Sequence, residues 1–226
     1  MLELDTPHGP ARAHLRPADR PIAALLLGHG AGGGVGAPDL VAVADAAVAL
    51  GVSVGLIEQP YRVAGRRSPA PAHQLDAAWT AVAAQLLADP LAGLPVIAGG
   101  RSSGARVACR TADAVGAVAV LCLAFPLHPP GAGSDPAKSR LPELDSVSVP
   151  TLVIQGESDP FGMPPEGPNR IVIRVPGNHA LRNTVAVAQA VTPWLCGPDG
   201  QPHHGTRDVR ARLPMSALSS GRAPSP

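Results

Sequence analysis

The sequence predicts an α/β domain, a mainly parallel sheet flanked by helices on both faces. Three observations carry that prediction. Short apolar runs at Ile22–Leu27, Val52–Ile57, Val96–Ala98, Ala117–Leu123, Val149–Ile154 and Ile171–Val175 have the composition of strands buried on both faces. Stretches with apolar residues at helical spacing lie between several of them. The 226-residue chain is 45% hydrophobic and 15% charged, enough to bury one sizeable core and too weakly charged for a solvated coil.

The elements follow in order. Leu2–Thr6 and Ala11–Leu15 read as two short strands joined by the turn Pro7-His8-Gly9-Pro10. After Ile22–Leu27 comes a glycine cluster. Asp39 is then placed to cap a helix with Leu40, Val43, Ala44, Ala47 and Val48 on one face and Gly51 past its end. Pro71 to Ala88 is a second helix, with Leu75, Ala78, Trp79, Val82 and Leu86 aligned. Ser103 to about Ala112 is a third. The last is expected from about Ala180 to Trp194, frayed at Pro193. No separate cap domain of any size fits between Ala124 and Val149. Residues 1–196 are expected to form the domain. Residues 197–226, rich in Gly, Pro, Ser and Arg without a periodic face, are expected to be a disordered tail.

Several function classes are disfavoured. A formal net charge of +1 lacks the basic excess of a dedicated nucleic-acid binder. The start, Met1-Leu2-Glu3-Leu4-Asp5, carries acids where a secretory signal needs bases. The longest apolar run, Ala114 to Phe125, is too short to span a bilayer, so no membrane association is expected. Cys109, Cys122 and Cys196 cannot all pair and have no metal-binding spacing. A reducing, cytoplasmic setting without a metal is the expectation, and Cys109 and Cys122 read as small buried hydrophobes.

Two glycine-rich segments are candidates for chemistry. Gly28, Gly30 and Gly33 match G-x-G-x-x-G after the first parallel strand, and Glu58 could serve as a ribose-binding acid. This dinucleotide-binding reading is the weaker one, because helix signals begin only at Pro38-Asp39 and not inside the glycine run. The second segment, Gly100-Arg101-Ser102-Ser103-Gly104, matches G-x-S-x-G at a strand–helix junction, the setting of a nucleophile elbow. A serine hydroxyl needs a base and an orienting acid. Both follow in the expected order: Asp159 after Val149–Ile154 and His179 after Ile171–Val175. Glu157 is the rival acid, with Asp135 and Asp145 weaker ones. The first glycine cluster then gains a role. The backbone amide of Ala31 would pair with that of Ser103 as an oxyanion hole. His29 reads as more structural than basic. Together with Arg101 and His128 it is a candidate to line the substrate site.

These segments resemble a family. Leu27-Gly28-His29-Gly30-Ala31-Gly32, Gly99-Gly100-Arg101-Ser102-Ser103-Gly104-Ala105-Arg106, Ala124-Phe125-Pro126-Leu127-His128-Pro129-Pro130-Gly131, Gln155-Gly156-Glu157-Ser158-Asp159-Pro160-Phe161-Gly162 and Gly177-Asn178-His179 carry the likeness. The chain resembles a small α/β-hydrolase and, more narrowly, the dienelactone-hydrolase-like group that contains the KANL/Tex-type domains. The resemblance implies an α/β-hydrolase fold and a Ser102-His179-Asp159 triad, and it does not settle activity. The residues in these roles lead to the expectation of a serine hydrolase acting on a small-molecule ester, thioester or lactone, with no cofactor. The group includes a subunit of a chromatin-modifying complex, so a catalytically silent protein-interaction module is the alternative. Ser103 stands where the group often carries a larger methionine, which bears on pocket shape. The oligomeric state is not legible in these residues.

Overall fold

The computed structural model describes residues 1–132 and 135–196. The expected tail, 197–226, lies outside the described residues. In chain order the elements are β1 (Leu2–Leu4), β2 (Ala11–Arg16), β3 (Ala23–Gly28), α1 (Pro38–Ala49), β4 (Val52–Glu58), α2 (Pro60–Val63) and α3 (Ala72–Ala88). There follow β5 (Val96–Arg101), α4 (Ser103–Thr111), β6 (Ala119–Leu123), a 3-10 turn (Pro136–Lys138), α5 (Leu141–Asp145), β7 (Thr151–Gly156), β8 (Arg170–Val175) and α6 (Thr184–Cys196). The strands form one sheet in the order β1-β2-β4-β3-β5-β6-β7-β8. The hairpin β1–β2 and the β2–β4 pair are antiparallel, and every pair from β4 through β8 is parallel.

Period-two alternation sends each strand's side chains into two cores. Leu25 and Leu27 of β3, Leu121 and Leu123 of β6, and Leu152 and Ile154 of β7 pack with Leu40, Val43, Val187 and Val191 of α1 and α6. Leu26, Val120, Cys122 and Val153 point the other way, against Trp79, Leu86, Val107 and Ala108 of α3 and α4. Both faces are thus covered, which is why the strand sequences read as unbroken apolar runs. Helix α4 is further tied down by its polar side. Arg106 makes a two-pronged contact with Glu143 of α5, and Arg110 reaches both Asp76 of α3 and Glu143.

Two helix starts are corrected, and α2 is an addition. Asp39 does not cap α1. Ala37 stands at the N-cap and Pro38 opens the helix, while the Asp39 side chain turns inward and is 1% exposed. The short helix α2 was not foreseen; Pro60 at its first position and the extended Gln59 before it start the turn. Helix α6 begins at Thr184, not Ala180. The Asn178 side chain accepts from the Ala180 amide, Leu181 adopts a left-handed φ of 44°, and the Asn183 side chain then accepts from the Ala186 amide as a cap. Pro193 lies inside α6, which continues to Cys196.

Candidate active site

The carboxyl ends of β3, β5, β7 and β8 face one rim. Open parallel sheets gather ligand sites there because the following loops converge. At the end of β5 the chain passes through Ser102 with φ 52° and ψ −109° and enters α4 directly. A left-handed φ at a non-glycine residue is strained, and here the surroundings enforce it. The Ser102 amide donates to the Leu123 carbonyl at 2.9 Å. The two flanking glycines are required by close approach. A Cβ at Gly104 would meet the Gly28 carbonyl oxygen at 2.3 Å, and one at Gly100 would meet the Gly104 backbone at 2.6 Å. The G-x-S-x-G pattern therefore lets the elbow press onto the end of β3.

The loop after β8 brings His179 to the elbow. The Ser102 hydroxyl donates to His179 Nε2 at 3.0 Å, and His179 Nδ1–H donates to Asp159 Oδ2 at 2.8 Å. The carboxylate partner assigns the proton to Nδ1 and leaves Nε2 as the acceptor. The Asp159 side chain is fully buried, while His179 keeps 18% of its side chain exposed. Asp159 Oδ1 accepts from the Phe161 amide at 2.9 Å. Of the rival acids, Glu157 is exposed, Asp135 caps the 3-10 turn and Asp145 pairs with Arg170.

The loop after β3 runs beside Ser102: a Cβ at Gly30 would lie 3.6 Å from Ser102 Cβ. The Ala31 and Ser103 amides have no acceptor among the described residues, and Ser103 is the first residue of α4, where helical partners are lacking. The Ala31 carbonyl is held by the Tyr61 hydroxyl at 2.8 Å. Burial pushes the Tyr61 phenol up to about 12, so it stays protonated and donates.

The substrate-lining expectation for His29 is corrected. The ring is 2% exposed and faces inward. Its Nε2 accepts from the Gln59 amide at 3.1 Å, its Nδ1–H donates to the Gly30 carbonyl at 2.9 Å, and it packs on Tyr61. Burial holds its pKa below the usual 6.5. Arg101 is engaged with protein groups, donating to Asp39 Oδ2 at 2.8 Å and to the His179 carbonyl at 2.9 Å. His128 is half-buried, with its ring against Gly162 in the Asp159–Gly162 turn. The dinucleotide reading also fails on geometry. The helix that follows β3, α1, starts only at Pro38, so it does not open inside the glycine run, and Gly28 instead ends β3 packed on Gly104 of α4.

Two contacts of the site were not anticipated. Gln155 of β7 is fully buried, and its Nε2 lies 2.9 Å from Asp159 Oδ2, 3.0 Å from the Phe125 carbonyl and 2.9 Å from the Gly162 carbonyl. A polar side chain at the end of an apolar strand was the available signal. Phe161 stands edge-on to His179 at 4.4 Å between ring centroids. Among the described residues no group of three or more His, Cys, Asp or Glu side chains could hold a metal ion. Nor is any helix there long and apolar enough to cross a membrane.

This arrangement of sheet, elbow and later loops defines an α/β-hydrolase fold. The chain belongs to the alpha/beta hydrolase domain family, whose model matches residues 21–171, well over half of the chain. No curated protein sequence matches it. Among solved structures it is similar to an α/β serine hydrolase without a lid from Xanthomonas campestris, at 21% identity and a TM-score of 0.64, covering 85% of this chain and 93% of that one. It is also similar to Est1E from Butyrivibrio proteoclasticus with ferulic acid bound, at 15% identity and a TM-score of 0.70, covering 86% and 97%. A dienelactone hydrolase from Anabaena variabilis aligns at 19% identity with a TM-score of 0.66, covering 86% and 94%. At these identities the likeness speaks for the fold; the chemistry is argued from the site itself.

Proposed function

We propose that the protein is a serine hydrolase that cleaves an ester, thioester or lactone through an acyl-enzyme. The observation that carries this reading is the unbroken hydrogen-bond chain Ser102 Oγ–His179–Asp159, mounted on a strained elbow. In the first step Ser102 Oγ bonds to the substrate carbonyl carbon as its proton passes to His179 Nε2. The carbonyl oxygen becomes an oxyanion, met by the free Ala31 and Ser103 amides. Asp159 keeps the imidazole in the productive tautomer and balances the imidazolium charge. Collapse expels the alcohol or thiol, which takes the proton from Nε2. Water then repeats the sequence against the acyl carbonyl, with His179 again as base, and frees Ser102. None of these steps calls on a cofactor. Among the described residues the segment between β6 and β7 carries a 3-10 turn and the five-residue α5, and α5 packs beside α4 through Glu143. A segment without a cap domain favours small acyl groups on small-molecule substrates.

The test is reaction with a fluorophosphonate, read by intact mass. Wild-type protein is expected to gain one adduct, at Ser102. Ser102→Ala is expected to gain none, and His179→Ala to react much more slowly. A panel of esters of increasing acyl length then ranks the substrates. A folded wild-type chain that stays unmodified over hours would overturn the reading in favour of the silent interaction module.

A further inference from the structure

We propose that Arg101, anchored by the buried Asp39, is a positioning residue that holds the His179 loop and the Gly30–Ala31 loop in register with Ser102. The proposal rests on the triad reading given above for its catalytic consequence. Its structural basis is independent of that reading. One guanidinium touches three separate parts of the site. Nε donates to Asp39 Oδ2 at 2.8 Å and one Nη donates to the His179 main-chain carbonyl at 2.9 Å. The other Nη lies against Gly30, where an added Cβ would come within 2.9 Å of it. The fourth connection is covalent, since Arg101 is the residue before the nucleophile.

The anchor is unusual. Asp39 sits in the first turn of α1, 1% exposed, with its second oxygen accepting from the Leu40 amide. Burying a carboxylate is costly unless it is paired, and a nonpolar pair would serve stability as well or better. The ion pair therefore calls for a reason beyond stability. A guanidinium supplies rigid, planar, divergent donors, so it can grip Asp39 and the His179 carbonyl at once. Lysine offers one point charge and cannot span both. The His179 carbonyl is three bonds from the imidazole-bearing Cβ, so fixing it sets where Nε2 lies relative to Ser102 Oγ. A shift of about 1 Å at such a site costs on the order of 100-fold in rate.

The decisive variant replaces the pair by apolar side chains. Arg101→Met alone strands a buried carboxylate and risks unfolding the domain, so Asp39→Leu is combined with it. The double variant is expected to keep a cooperative unfolding transition near the wild-type Tm. Its kcat on p-nitrophenyl acetate is expected to fall about 100-fold with KM changed by no more than about twofold. Arg101→Lys is expected to fall between the two. The downfield proton resonance of His179 Nδ1–H, sharp in the wild type, is expected to broaden or vanish in the folded double variant. A folded double variant with wild-type kcat and a sharp resonance would overturn the proposal. Should the wild type neither hydrolyse the ester nor take the fluorophosphonate, the hydrolase reading fails. The resonance then still decides: its loss in the folded double variant supports the positioning role, and its persistence overturns it.

Discussion

At the scale of single residues, the proposed site separates into Ser102 and His179, assigned to the chemistry, and groups that hold them. Asp159 holds His179, and its own two oxygens are held by the Phe161 amide and by Gln155. Asp159→Asn is expected to preserve the fold and to lower kcat by about three to four orders of magnitude, because the amide favours the wrong imidazole tautomer. Glu157→Gln, two residues away on an exposed side chain, is expected to leave kcat unchanged. Steady-state kinetics on an activated ester read both, and the reverse ranking would reassign the acid. Ser102, Asp159 and His179 were legible in the sequence because each sits in a short contiguous pattern directly after a strand. Asp39, Tyr61 and Gln155 were not legible as parts of the site. The Asp39–Arg101 and Tyr61–Ala31 contacts join residues 62 and 30 positions apart, and nothing local in the chain announces such meetings. His29, read as more structural than basic, has its ring turned inward, accepting from the Gln59 amide.

At the scale of elements, most of the parallel strands were legible as short unbroken apolar runs and the longer helices by their 3.6-residue apolar period. The short helices α2 and α5, of four and five residues, are too brief to show a period. The start of α6 was misplaced because Ala180 and Leu181 are good helix formers by propensity, while the Asn178 turn overrides them. The glycines divide along the same line. Gly104 belongs to the contact between α4 and the end of β3, whereas Gly34 has nothing within 4 Å of an added Cβ and no left-handed φ. Gly104→Ala is expected to cost about 3 kcal/mol or more, since backbone must move to admit the methyl group. Gly34→Ala is expected to be neutral or to stabilise by up to about 1 kcal/mol by narrowing the unfolded ensemble. Urea unfolding of the two variants distinguishes a glycine required by packing from one that only lengthens a loop. Equal effects would remove the argument that the elbow is pressed onto β3.

At the scale of the whole molecule, the position of His29 makes global stability depend on pH. Buried with Nε2 accepting from the Gln59 amide, it resists protonation, and its pKa in the fold lies below the 6.5 of an exposed histidine. In the unfolded chain it titrates at the ordinary value. As pH falls below about 6.5, the unfolded state takes up a proton that the folded state refuses, so stability falls with it. The loss is complete once pH passes below the folded-state pKa. One such proton is worth up to about 1.4 kcal/mol per pH unit within that window. Asp39 acts in the opposite sense: burial raises its pKa despite Arg101, so the fold takes its proton before the unfolded chain does, and acid relieves the cost of burying the charge. The two contributions are separated by substitution. His29→Gln keeps an acceptor for the Gln59 amide and has no titrating ring. It is expected to unfold with a shallower dependence of stability on pH below about 6.5 than the wild type, by up to the slope of one proton. Denaturant unfolding at half-unit pH steps measures both slopes. Identical slopes would mean that His29 titrates in the fold as an exposed histidine does, and the inward-facing role assigned to it here would be wrong.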